Sequence, residues 1–178
     1  SPCAHAGCSM TPMTEKPIAA RLHLGVLSLN AQLDAPQAEV WRHLVDPALT
    51  VLWSPVVPDR ILDAVGPATS QEDEASPVVD ATVSESRAPW VLEHRWGPDM
   101  LTWQLAPSGE GTQLHLGHEL SDVTQAADIA AGWYLCLDVL RRRLLGEDVP
   151  RCVGADAMAH EWAELRDAYA VEFTPKGE

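Results

Sequence analysis

The stretch AAGWYLCLDVLRRRLLGE, Ala130–Glu147, decides the fold. Starting one residue upstream, Ile129, Trp133, Leu137, Leu140 and Leu144 recur at the spacing of one face of an α-helix. Ala126, Ala130, Tyr134, Cys136 and Leu145 flank that stripe, which makes the apolar face too broad for a single seam. The pattern predicts a helix from about Gln125 to Leu145, wrapped by its partner on more than one side. Arg141, Arg142 and Arg143 fall in its last turns, where positive charge complements the helix dipole.

Three alternating runs precede the helix. WVLEHRW ends at Gly97-Pro98-Asp99, MLTWQLA ends at Pro107-Ser108-Gly109-Glu110-Gly111, and TQLHLGHEL follows. Short turn signals between such runs mean an antiparallel meander. Further upstream, ARLHLGVLSLNAQL (residues 20–33) reads as one long first strand. Its phase changes between Val26 and Leu27, which implies a bulge or bend near Gly25–Leu27. DAPQAEVWRHLVDP then reads as a helix with Asp34 as N-cap candidate and Pro47 as its end, and PALTVLWSP allows one more short turn of helix. RILDAV and VVDATVSES read as strands around an exposed hairpin loop, GPATSQEDEASP. After the long helix, Met158, Trp162, Leu165 and Tyr169 mark a last amphipathic helix.

This order predicts an α+β domain with a curved antiparallel sheet around a long helix. The two short helices follow the first strand, and an extra helix closes the chain. Residues 18–175 form one domain, and residues 1–17, aperiodic and carrying three prolines, read as a disordered tail or leader. Cys3, His5 and Cys8 in that tail lack a clear fourth ligand for zinc, so no metal site is assigned.

Composition narrows the function. With 26 acidic against 12 basic side chains, the net charge of −14 repels phosphate backbones, and nucleic acid is not an expected partner. No run approaches the ~20 apolar residues of a membrane span, and a cytoplasmic location is expected. Arginine outnumbers lysine, a habit of GC-rich bacterial genes. Four cysteines in a chain of this length do not make a disulfide framework.

The texts VLEHRW, LTWQLAPSGEGTQLHLGHEL and AAGWYLCLDVLRRRLLGE, in that order, resemble the SRPBCC or START superfamily, the helix-grip fold. The resemblance is closest to the branch named for homologues of the heat-shock-protein-90 ATPase activator. LDAPQAEVWRHLVDP and EWAELRDAYAVEF extend it over roughly residues 27–173. Two features depart from the pattern: residues 61–77, and Tyr134 where this branch often carries His. The resemblance implies a pocket for a small apolar or amphipathic molecule between sheet and helix. It does not imply a reaction, because the superfamily spans carriers, sensors, cyclases and chaperone regulators.

Strand parity names the residues that face inward. His94 and Trp96 share a face with Leu92, Trp103 lies between Leu101 and Leu105, and Leu116 and His118 follow Leu114. Together with Trp133, Tyr134 and Leu137 of the helix, Trp96, Trp103 and Leu116 are expected to line a ligand cavity. His94 and His118 would supply its polar points, as acid–base groups or ligand anchors. The alternative is that the tryptophans are plain core and the histidines bond to backbone or water. No nucleophile motif is present, and Gly109 and Gly111 precede no helix and form no phosphate loop, so neither a cofactor nor a catalytic residue is assigned. A small-molecule binding module is the favoured class. An enzyme of cyclase or hydrolase type and a chaperone regulator are the alternatives, and a homodimer is left open.

Overall fold

A computed structural model describes residues 17–153 and 161–174. The expected tail, its Cys-His-Cys cluster and Met158 lie outside the described residues. Six antiparallel strands form one sheet, in the order β1 (Ile18–His23), β2 (Val26–Leu33), β8 (Gly111–Glu119), β7 (Asp99–Ser108), β6 (Val91–Trp96) and β5 (Val83–Arg87). Helices α1 (Gln37–Val45) and α2 (Pro47–Thr50) follow β2, and a two-stranded ribbon of β3 (Thr69–Ser70) and β4 (Val79–Asp80) precedes β5. The long helix α3 (Ala126–Leu144) and the last helix α4 (Trp162–Phe173) complete an α+β helix-grip domain.

The meander and the long helix form as the alternation and the helical spacing predict. Cross-strand register then sorts the inward side chains into rows. Leu27 pairs with His118, His118 with Leu101, and Leu101 with His94; the next row runs Leu29, Leu116, Trp103, Leu92. All eight are buried, and Trp133, Leu137 and Leu140 of α3 belong to the same core.

Three local readings are corrected. The first strand is a hairpin, not one bent strand: Leu24 and Gly25 both take positive φ (49° and 78°), so the chain reverses and β1 pairs back on β2. Two left-handed residues are what a tight two-residue hairpin needs. RILDAV forms no strand, because the Arg60 guanidinium gathers the carbonyls of Ile61, Ala64, Gly66 and Pro67 at 2.9–3.0 Å and curls the segment around itself. The following stretch does turn as a hairpin, with β3 paired antiparallel to β4. Asp34 is not the cap of α1; Pro36 precedes the helix without a side-chain cap. The helix is instead anchored by Gln37, whose Nε2 donates to the carbonyls of Pro89 (2.9 Å) and Leu105 (3.2 Å). Asp46 does cap α2, accepting from the Ala48 N–H at 3.0 Å.

The breadth of the α3 face has a different cause from the one expected. The sheet grips one side, and α4 packs along another, where Tyr169 is buried and stacks on Phe173 at 5.4 Å. Two layers therefore share one helix.

Candidate functional site

Four tryptophans form a continuous cluster at the centre of the grip. Trp53 meets Trp103 edge-on at 5.9 Å between centroids, Trp103 meets Trp133 edge-on at 5.4 Å, and Trp133 meets Trp96 at 5.4 Å. Edge-to-face geometry sets the positive rim of one indole on the negative face of the next. Because a buried indole N–H needs an acceptor, each of the three innermost rings has one. Trp53 donates to the His43 carbonyl at 2.9 Å, Trp103 to His94 Nε2 at 3.0 Å, and Trp133 to His118 Nδ1 at 3.0 Å.

These bonds fix the histidines chemically. An indole nitrogen only donates, so the receiving imidazole nitrogen must carry a lone pair and the proton sits on the other nitrogen. His94 therefore donates from Nδ1 to the Arg95 carbonyl at 2.9 Å, and His118 donates from Nε2 to Asp99 Oδ2 at 2.6 Å. Burial pushes the His94 pKa down to about 4, against a smaller opposing effect of the Arg95 carbonyl. Burial also lowers that of His118, and the Asp99 carboxylate opposes it only in part. For Asp99, burial disfavours the charge, but hydrogen bonds from Ser121 and His118 prevail and hold its pKa below the usual carboxylate value. Both imidazoles are neutral parts of the core, with both ring nitrogens engaged.

A cavity of about 240 Å³ opens beside this cluster. Ile129, Gly132, Trp133 and Cys136, at i, i+3, i+4 and i+7, supply one face of α3 as its wall. Trp96 closes it from the end of β6, Trp162 from the start of α4, and Cys152 and Val153 from the segment after α3. Pro55 and Glu72 come from the loops after α2 and after β3.

Of the residues expected to line a ligand site, the structure brings only Trp96 and Trp133 to this cavity. Trp103, Leu116 and Leu137 are 3% exposed or less and fill the space between sheet and helix. His94 and His118 are closed behind the indoles they serve. Tyr134 is half-buried on the side of α3 near Tyr169, where burial, with Asp138 and Glu161 adding to it, raises its hydroxyl pKa. The space expected under the middle of α3 is thus occupied by tryptophan, and the open volume is displaced toward α4. The helical spacing of Ile129, Gly132, Trp133 and Cys136 could have revealed this face. Nothing periodic could have named Pro55 or Glu72.

Cys136 and Cys152 are both buried and not joined in a disulfide, and Cys136 Sγ lies 3.5 Å from the Cys152 carbonyl. Burial drives the Cys136 thiol pKa far up, so it stays protonated and makes a poor nucleophile. Among the described residues, no group of three His, Cys, Asp or Glu side chains could hold a metal ion. Among them, too, no helix is long and apolar enough to cross a membrane.

Residues 34–144, which run from the start of the α1 loop to the end of α3, match the family described as activator of Hsp90 ATPase homolog 1-like protein. The chain belongs to that family. Trp162, Cys152 and Val153, which complete the cavity, lie beyond the matched residues. Solved structures agree on the fold. CalU16 from Micromonospora echinospora superimposes with a TM-score of 0.63 at 20% identity, over 86% of this chain and 94% of that one. A conserved protein of unknown function from Enterococcus faecalis, EF2215, gives 0.69 at 14% identity, over 90% and 92%. The BPP1335 protein of Bordetella parapertussis gives 0.64 at 23% identity, over 90% and 91%. Identities this low carry the helix-grip architecture and no activity. No curated protein matches the chain in sequence.

Proposed function

We propose that this protein binds a small, mainly apolar molecule in the cavity between α3, α4 and the loops of Pro55 and Glu72. The observation that carries the reading is the cavity itself, about 240 Å³ with walls dominated by three indoles, Ile129 and Val153. Aromatic and aliphatic walls with few polar groups are the usual make-up of a ligand site. An apolar cavity of about 150 Å³ holds benzene, so this one has room for a one- or two-ring molecule. The neutral, fully bonded state of His94 and His118 supports binding over acid–base catalysis. A cytoplasmic location is part of the proposal and is checked by cell fractionation.

Gly132 provides the test. A Cβ built there meets no atom within 4 Å, so a larger side chain enters open space at the cavity wall. Wild type and Gly132→Leu are screened against hydrophobic metabolites by thermal shift. A ligand at a hundredfold excess over its Kd adds about 2.7 kcal/mol to the wild type by mass action. Hits should vanish in Gly132→Leu; hits that shift both proteins equally place binding elsewhere. The family match favours chaperone regulation as the second reading. It predicts stimulation of a heat-shock-protein-90 ATPase that survives Gly132→Leu unchanged.

A further inference from the structure

The Trp133 ring borders the cavity, while its N–H is held from behind by His118 Nδ1 at 3.0 Å. Behind His118 stands Asp99. His118 Nε2 donates to Asp99 Oδ2 at 2.6 Å, and Asp99 Oδ1 accepts the Ser121 N–H at 2.9 Å. The four groups form one file, with a fixed donor at each end and a single proton between imidazole and carboxylate in the middle. His118 is fully buried and meets a different element on each side. It faces the Trp133 ring of α3, the Trp96 ring of β6 at 5.7 Å, Leu27 of β2, and Leu101 and Asp99 of β7. Among the described residues Asp99 is the one charge that acts on it, and the next titratable group in its row, His94, lies beyond Leu101.

We propose that His118 and Asp99 are positioning residues for the ligand: they hold the Trp133 indole in the orientation that shapes the cavity wall, and do so in one protonation state alone. This inference rests on the binding reading above and names what regulates that site. The indole N–H needs a lone pair on Nδ1, and the carboxylate secures it by keeping the imidazole proton on Nε2. A proton added to His118 goes to Nδ1 and sets two donors face to face. Trp133 then loses its acceptor. Trp96 and Trp103 stand at 5.4 Å on its other sides, so the freed ring turns toward the cavity volume, and ligand and proton compete. Burial lowers the His118 pKa from its ordinary 6.5, and Asp99 opposes that only in part. Affinity is therefore complete above pH 6.5 and falls as the pH drops through the lowered value. Asp99→Asn reverses the proton arrangement without changing its shape. The Ser121 N–H takes the amide oxygen, the amide nitrogen donates to His118 Nε2, and the imidazole proton is driven to Nδ1, against Trp133.

Two readouts are followed on the full chain from pH 7.5 to 5. One is the Trp133 indole N–H resonance, assigned with Trp133→Phe; the other is calorimetric binding of 3-phenylpropanol, which carries no charge over that range. In the wild type, lowering the pH should move the resonance upfield and weaken binding about fivefold or more, with one common midpoint. His118→Gln, whose oxygen accepts from Trp133 and whose amide donates to Asp99, should bind like the wild type at pH 7.5 and lose the pH dependence. Every other titrating group is common to both proteins. Asp99→Asn should show the displaced resonance and the weaker binding already at pH 7.5. Gly132→Leu should abolish binding and keep the pH dependence of the resonance, which separates the cavity from the support behind it. A wild type whose resonance and affinity ignore pH, or the same pH dependence in His118→Gln, overturns the positioning role. An Asp99→Asn protein indistinguishable from wild type overturns it equally, and the first two comparisons decide if that variant fails to fold. In each of these cases binding that is lost in Gly132→Leu leaves the cavity reading standing. No wild-type binding at millimolar alcohol, or binding undiminished in Gly132→Leu, overturns the cavity reading and the positioning role with it.

Discussion

Lowering the pH should unfold this protein through His94 in a way that can be isolated by one substitution. In the native state His94 is 1% exposed, accepts the Trp103 N–H and has its pKa depressed to about 4. In the unfolded chain it returns to about 6.5. Between those values the unfolded chain binds the extra proton, so stability is complete above pH 6.5 and falls as the pH drops toward 4. At 1.36 kcal/mol per unit, the loss accumulated by pH 4 is about 3 kcal/mol, a large part of a domain's total. Protonation would also put two donors face to face, since His94 Nε2–H would point at the Trp103 N–H. Total stability is a poor readout, because carboxylates on a chain of net charge −14 titrate near the same range. The difference between wild type and His94→Gln removes them. Glutamine offers an oxygen to Trp103 and an amide to the Arg95 carbonyl, and it does not titrate. The His118 contribution, of the same sign, is common to both proteins and cancels. Urea midpoints followed by tryptophan fluorescence at half-unit steps from pH 7 to 4 should show the wild type losing about 3 kcal/mol more than His94→Gln. A difference below about 1 kcal/mol would mean that native His94 accepts a proton freely, and the tautomer argument would fall.

Other outcomes follow from single contacts. Gly132→Ala should raise stability by about 0.5–1 kcal/mol, because the methyl meets no atom within 4 Å and glycine is a poor helix residue; a lower urea midpoint would show that the wall is not open there. Gly111→Ala should destabilise by about 2 kcal/mol or more, since its Cβ would collide with the Leu33 carbonyl oxygen where β8 begins to pair with β2; an unchanged midpoint would contradict that close approach. Leu24→Asn should stabilise by roughly 1 kcal/mol, because Leu24 is 88% exposed at a φ of 49°, a conformation that asparagine tolerates and leucine does not; a drop in Tm would show that Leu24 makes a contact worth more than the strain.

Periodic elements were readable from the chain, and closures were not. The inward parity of Leu92 and His94, of Leu101, Trp103 and Leu105, and of Leu114, Leu116 and His118 follows from alternation alone, and each of these side chains is buried. The Leu24–Gly25 reversal escaped because the expected Asn-Gly signal is absent, and a leucine at positive φ has no sequence mark. Arg60 hid the 60–67 segment in the same way, because a guanidinium that gathers four carbonyls leaves an apolar-looking text that imitates a strand.

The site was half legible for a related reason. Parity says which side chains point inward, but not whether they leave space when they arrive. Trp103 and Trp133 meet edge to face at 5.4 Å, and that contact fills the middle of the grip. Each ring's N–H meets a histidine in the core, and the other ring nitrogens of His94 and His118 are engaged by the Arg95 carbonyl and Asp99. What space remains lies where α3 turns a glycine, Gly132, toward walls built from Cys152, Val153 and Trp162. Those walls lie beyond the family-matched residues, and Glu72 stands in a stretch with no strand pattern. The cavity thus joins walls inside the matched residues, from Pro55, Glu72, Trp96 and α3, to walls that follow them. Substitutions at Trp162 should then change any ligand binding in the cavity, while the tryptophan–histidine core stays fixed.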